Sequence, residues 1–255
     1  MSTCARTLVW AHLGAFPYRP AEALQARLRA GLRAGEQPEH LLTLEHRPPV
    51  FTLGRNATPA DITSAEAWRA ARGIEVHTSD RGGKVTYHGP GQLVAYPILN
   101  LDPDRRDIRR YVRDLERVII RTLAEVGIAA CVREGREFVG VWTGGEGDWR
   151  KIASIGVHLS HWITTHGFAL NVNSEMGHFD GIVACGLQQV TMTSIARELG
   201  HAPPLRALAA HCVRRAAEVF DRRLVTADQT AVEALRQLGL STSSGQRGSG
   251  EPGQP

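Results

Sequence analysis

The chain has only two lysines, Lys84 and Lys151, and both fall in segments whose other residues could build a site. Lys84 lies in DRGGKVTYHGPGQL, Asp80 to Leu93, where Gly82, Gly83, Gly89 and Gly91 let a ligand approach backbone that no Cβ shields. Arg81, Lys84, Tyr87 and His88 add polar handles to the same surface. A glycine-rich hairpin without a ligand explains any single GG or GPG pair; glycines and ionisable groups at this density favour a binding loop. Lys151 opens a second segment, RKIASIGVHLSHWITTHGFALNVN, Arg150 to Asn173. A third, Phe179 to Gly200, brings Cys185 to the end of a short apolar run just before Gly186. A thiolate can hold a covalent intermediate, but a free thiol titrates near ~8.5 and needs a neighbouring cation to ionise at neutral pH. Lys151 is a candidate for that cation and, with a lowered pKa, for a general base. Cysteine after Ile182, Val183 and Ala184 also fits an inert core position. Gly186, Gln188 and Gln189 favour instead a strand end opening onto a cleft.

The elements that must position these residues can be read from periodicity. A helix is expected over Pro20 to Arg33, with Pro20 near its first position and Ala21, Leu24, Leu28, Gly31 and Leu32 on one face. Strand-like runs follow at Leu41–Glu45, Val50–Leu53, Ile74–Thr78, Leu93–Leu101, Ile128–Val132 and Phe138–Trp142, with two more between Lys151 and Asn173. A long helix after Asp104 interrupts them. Its arginines, Arg106, Arg110, Arg113, Arg117 and Arg121, share one face, and Tyr111, Leu115, Ile119 and Leu123 share the other. Asp107, Asp114 and Glu116 stand at spacings that partly neutralise this basic face, which reads first as solvated surface. Helices resume near Ser194, Leu205 and Asp228. Strands clustered in the middle with helices at both ends imply an α+β (α/β) fold, a single domain with a central mixed or largely antiparallel sheet flanked by helices. The expected domain covers residues 1–240. Residues 241–255, STSSGQRGSGEPGQP, are too poor in apolar side chains to offset the entropy of ordering and are expected to be a disordered tail.

Composition excludes several classes. A chain of 255 residues with 42% hydrophobic content suffices for one large domain. A net charge of +4 carried with 26 acidic residues leaves no strong nucleic-acid footprint and is compatible with an acidic protein partner. No apolar run approaches the ~18 residues of a membrane span, and the N-terminus lacks a leader pattern, so a cytoplasmic location is expected. The four cysteines, Cys4, Cys131, Cys185 and Cys212, form no metal or disulfide pattern. Cys212 falls on an apolar helical stripe and is expected in the core.

The blocks RGGKVTYHGPGQL, KIASIGV…HGFALNVN and ACGL…TSIARELG, with EHRPPVFTLGR upstream, resemble the octanoyltransferases of lipoate biosynthesis, the lipoate-protein ligase B family. The resemblance runs from about Leu41 to Gly200. It implies a fold related to the catalytic domains of biotin and lipoate ligases. It further implies transfer of an octanoyl group from octanoyl-acyl carrier protein to a lysine of lipoyl domains, those of 2-oxo acid dehydrogenase E2 subunits and glycine cleavage H protein, through a cysteine thioester. Carried over, the catalytic pair is Cys185 and Lys151. Arg81, Gly82, Gly83, Lys84, Val85, Thr86, Tyr87 and His88 would line the acyl site, with Ser154, Ile155 and Gly156 closing around the chain and Gly167, Phe168 and Ala169 forming another wall. No metal and no cofactor is implied.

Other readings stay open on sequence alone. Eleven histidines, among them His88, His158, His161, His166 and His178 near the blocks, make a Cys–His thiol protease the natural rival, although none of its local signatures is present. His158, His161 and His178 are expected to be surface or structural residues. An ATP-dependent lipoate or biotin ligase would share the lysine but has no use for a Cys185 thioester. A catalytically inactive module that only holds lipoyl domains or acyl chains would need neither residue.

Overall fold

The computed structural model describes residues 5–183 and 190–241. Cys185, Cys4 and the tail beyond Ser241 lie outside the described residues. The elements in chain order are β1 (Thr7–Phe16), α1 (Tyr18–Ala34), β2 (Glu39–His46), β3 (Val50–Leu53), α2 (Glu66–Ala70), β4 (Glu75–Thr78), β5 (Val85–His88), β6 (Gln92–Ile98), α3 (Ile108–Glu125), β7 (Val141–Thr143), β8 (Arg150–Ser160), β9 (Ile163–Asn171), β10 (Thr191–Met192), α4 (Ile195–Leu199), α5 (Leu205–Phe220), β11 (Arg223–Thr226) and α6 (Gln229–Leu240).

The larger sheet runs β10-β8-β9-β6-β2-β1-β11, with β7 also paired to β8. Its centre is antiparallel, from β8 through β9 and β6 to β2, while β10, β1 and β11 add parallel pairs outside. The mixed sheet expected from the sequence is therefore observed. Both faces are covered, as the adjacent apolar residues of its strands require. Leu41, Leu93 and Ala95 turn towards α3 and α5, whereas Leu42, Val94 and Tyr96 turn towards α1 and α6. A smaller sheet, β4-β3-β5, packs Phe51, Val85 and Tyr87 against Met176, Phe179 and Ile182.

Several helix ends follow from their sequence. The Asp107 carboxylate accepts from the amides of Arg109 and Arg110 at the start of α3, a cap worth about 1 kcal/mol. Ser194 caps α4 and Asp228 caps α6, at the positions where helices were expected to resume. The basic face of α3 is solvated and partly paired: Arg117 meets Asp114 and Arg121 lies 3.8 Å from Glu218, while Arg106, just before the helix, meets Asp102. One buried ion pair ties the start of β2 to the residue before β11. Arg222 Nε donates to Glu39 Oε2 at 2.5 Å, both side chains being 3% exposed, and Arg6 approaches the same carboxylate at 3.2 Å.

Three departures from the sequence reading have local causes. Strand β1 was not expected, because a register shift between His12 and Gly14 breaks its alternation. Residues 128–132 form no strand; after Gly127 only one bridge, Cys131 to Trp142, joins them to the sheet. The run Phe138–Trp142 is split, a 3-10 turn at Arg136–Phe138 giving way through Gly140 to β7.

Candidate active site

A cavity of about 470 Å³ lies between the two sheets. One wall is Ser154, Ile155 and Gly156 on β8, continued across the ladder by Gly167, Phe168 and Ala169 on β9. The opposite side comes from the glycine-rich block, with Arg81, Gly83, Lys84, Val85, Thr86 and His88. Lys151 closes one end. His166 stands near the other: it pairs with Val157, six residues along β8 from Lys151, or roughly 20 Å of extended strand.

This architecture brings together almost every residue singled out in the sequence. Gly82 is bound into the wall by its amide, which donates to Val157 O at 2.9 Å, but does not line the cavity. Tyr87 does not line it either. Successive residues of a strand alternate faces, and with Thr86 and His88 turned to the cavity, Tyr87 packs between Phe51 and Phe179. Residues 85–88, read from their glycine-rich setting as part of a loop, are a fully buried strand.

Lys151 is 1% exposed, yet its ammonium has built partners. Nζ donates to Val139 O at 2.9 Å and lies 5.3 Å from the centre of the Trp142 ring. Gly140 makes room for it. With φ of 131° and a would-be Cβ only 2.7 Å from Lys151 Cε and 2.5 Å from Ala153 O, that position accepts glycine alone. The segment carrying Cys185 joins Val183 to Val190, and the chain then enters β10, where Met192 pairs with Lys151.

Arg81 is a buried structural cation. Its guanidinium donates to Thr52 O at 2.6 Å, to Thr52 Oγ1 at 2.8 Å and to Gly82 O at 2.9 Å, fixing the loop against β3. It is therefore not available to dock an acidic partner. Lys84, in contrast, is exposed at the cavity.

At the far end two buried imidazoles are held neutral. His88 Nδ1–H donates to Gln92 Oε1 at 2.8 Å, and burial holds its pKa well below the ordinary value, leaving Nε2 as the unprotonated nitrogen. His46 donates from Nδ1 to Phe16 O at 3.0 Å and accepts from the Tyr96 hydroxyl at 2.7 Å; burial lowers its pKa to about 4. Tyr18 and Tyr96 line the cavity beside them. His166 has φ of 56°, uncommon for a non-glycine residue. It is held there by Gln25 Oε1 on its amide and by Asp80 Oδ1, 2.6 Å from Nε2. That contact with His166 draws the Asp80 carboxyl down to about 2.

A buried polar chain links the two ends. Gln92 Nε2 donates to Asn171 Oδ1 at 2.9 Å, Asn171 Nδ2 to Thr193 O at 3.0 Å, and the Thr193 amide to Lys151 O at 3.0 Å. Sequence reasoning assigned no role to Tyr18, Asn171 or His166, and it placed Glu116 on a solvated basic face, whereas Glu116 is buried and accepts from the Gly140 amide. His166 does sit in a motif, HGFALNVN, but its backbone conformation has no signature in residue type. His158 and His178 are structural, as expected: the first contacts Asp80 O at 3.2 Å and the second the Tyr87 hydroxyl at 2.9 Å. Cys212 is buried on α5, its thiol pushed up to about 12 by burial, and suits the core role expected of it.

The family model of the lipoyl protein ligase A/B catalytic domain matches residues 17–217. An octanoyltransferase of Myxococcus xanthus is 48% identical over 223 residues, 87% of this chain and 62% of that protein, so the match spans less than two thirds of that relative's length. One of Chloroflexus aggregans is 46% identical over 223 residues, 87% of this chain and 99% of its own. Among solved structures, a bipartite lipoate protein ligase of Thermoplasma acidophilum has a TM-score of 0.65 at 13% identity, covering 93% of this chain and 92% of that one. A lipoate-protein ligase A bound with ATP gives 0.65 at 14% identity, with 92% and 94% covered. At such identities these two show a common fold and no more, while the relatives at 46–48% carry the family. The chain belongs to the octanoyltransferases, acyltransferases of lipoate biosynthesis built on the lipoyl protein ligase A/B catalytic domain.

Proposed function

We propose that residues 1–240 take an octanoyl group from octanoyl-acyl carrier protein onto Cys185 and pass it to a lysine of a lipoyl domain, with 241–255 a tail outside the catalytic domain. The observation that carries this reading is Lys151, buried at one end of a cavity whose β8–β9 wall is of small or apolar residues suited to a saturated chain. The Cys185 thiolate, stabilised by the Lys151 ammonium, attacks the donor's thioester carbonyl. The tetrahedral intermediate collapses, the C–S bond to the carrier breaks, and the carrier's thiolate leaves, taking the proton of the Lys151 ammonium. Deprotonated Lys151 then takes a proton from the acceptor amine as nitrogen attacks the octanoyl-Cys185 carbonyl. The amide forms and the thiolate departs.

The acceptors fitting the family are lipoyl domains of 2-oxo acid dehydrogenase E2 subunits and the glycine cleavage H protein. The reaction as written needs no cofactor, nucleic acid or membrane, and suits the cytoplasm. Among the described residues no helix is long and apolar enough to cross a membrane. An acidic carrier would meet Lys84 at the cavity and the exposed arginines of α3, with salt-sensitive affinity.

The ligase reading shares the fold and the lysine but activates free acid with ATP. Intact-mass measurement after incubation with octanoyl-loaded carrier protein, with no ATP or Mg²⁺ present, separates the two. The expected result is one octanoyl adduct, labile to hydroxylamine, lost in Cys185→Ser and transferred to an added lipoyl domain. No adduct, with product formed only from free octanoate and ATP and surviving Cys185→Ser, would overturn the reading.

A further inference from the structure

The peptide between Val139 and Gly140 stands between two ionisable side chains. Its carbonyl oxygen accepts from Lys151 Nζ at 2.9 Å, and its amide donates to Glu116 Oε1 at 3.4 Å. The bond is trans, so C=O and N–H point in opposite directions. Ammonium and carboxylate therefore flank one peptide dipole, each at the end that attracts it. Glu116 reaches this position from the third turn of α3, on a buried part of the helix, with 9% exposure. A carboxylate removed from water at an otherwise apolar surface is costly unless a donor or a cation compensates it.

We infer that Glu116 is a positioning residue for Lys151, acting through the Val139–Gly140 peptide to fix the ammonium in the cavity and to hold it charged. The inference deepens the proposed function, since it gives the lysine of that mechanism its electrostatic support. Glycine at 140 belongs to the same device: any side chain there would displace the peptide or the lysine. The other charged groups around the pair are identifiable. Arg113, one turn earlier on α3, opposes the rise that burial imposes on the Glu116 carboxyl. Arg136 and Glu137 line the cavity from the 3-10 turn, and Arg81 and Lys84 from the glycine-rich block. Arg150, next to Lys151, is engaged with Glu198 and Asp148.

A purely structural hydrogen bond would be served equally well by glutamine, so Glu116→Gln separates the two roles. It keeps an acceptor for the Gly140 amide and removes the charge. With only two lysines in the chain, NMR of lysine-labelled protein reads both side chains, and Lys84→Arg assigns them. In Glu116→Gln the titration of Lys151 is expected to move down by roughly one pH unit, with Lys84 unmoved. The limb of the transfer pH profile that reports Lys151 should move with it at little change in KM. Glu116→Asp keeps the charge one methylene short. It should leave the Lys151 titration within a few tenths of a unit while lowering kcat severalfold, and it provides the test if the glutamine variant does not fold. An unmoved Lys151 titration in Glu116→Gln, or an equal fall in Glu116→Asp, would overturn the inference. If the NMR titration shifts while the transfer profile does not, the positioning stands and the catalytic role of Lys151 fails.

Discussion

At one end of the cavity the Lys151 ammonium donates to a peptide carbonyl whose N–H meets a carboxylate, whereas at the other His46 and His88 are kept neutral by burial. Lys151, His46 and His88 are all buried. The two ends differ in what is supplied in place of water. Near Lys151 the protein gives a charge oriented partners, as a group that must exchange protons requires. Near His46 it supplies hydrogen bonds that fix one tautomer without a counter-ion, and a neutral imidazole tolerates an apolar chain nearby where an imidazolium would not. Burial alone thus does not decide the charge of a side chain; the dipoles and ions arranged around it do.

The largest test of this contrast is Lys151→Ala. Removing both cation and base is expected to slow acylation and transfer by a factor on the order of 10²–10⁴. The alkylation rate of Cys185 by iodoacetamide, titrated against pH, should move to higher pH. An unchanged profile would show that the ammonium does not act on the sulfur.

A smaller effect is expected from acid at the histidine end. The folded pKa of His46 is about 4, below the ordinary 6.5, so between these values the unfolded chain binds a proton that the folded chain refuses. Stability should be level above pH 6.5 and fall as pH drops towards 4, by about 3 kcal/mol from this residue alone. Urea unfolding across that range tests the fall, and the His46 ring resonances show whether it stays neutral. Titration near 6.5 would break the comparison. Asp80, with a carboxyl drawn down to about 2, loses its contribution only in stronger acid.

The smallest expected effect is that of deleting residues 242–255. Neither thermal stability nor kcat should change measurably, because so polar a segment buries little. A loss of a degree or two in Tm would mean that it docks.

Much of this site was legible in the sequence because glycine, lysine and alternating apolar residues carry their reasons in their types. Gly156 and Gly167 fall opposite each other in β8 and β9, and Lys151 at the head of its strand was visible beside them. The less legible parts depend on contacts between distant segments. Nothing local in α3 distinguishes Glu116, which meets Gly140, from Asp114, which pairs with Arg105 and Arg117. Tyr87 was placed in the acyl site because its block is, and strand alternation sends it to the other side. β1 escaped notice since a bulge erases the period on which such reading depends. The six residues around Cys185 lie outside the described residues, so its place beside Lys151 rests on family resemblance.

The Glu39–Arg222 pair sets a timetable for folding. Glu39 belongs to β2, an early central strand, while its closest cation comes 183 residues later, immediately before β11 pairs with β1. Contacts between such distant residues form slowly, since a long loop must close before they are rewarded. Until residue 222 has been synthesised, the growing sheet holds a buried carboxylate that Arg6 and the Asn100 amide meet without its closest cation. An incomplete chain is thereby discouraged from closing its core early. The final strand and its arginine arrive together to complete the assembly.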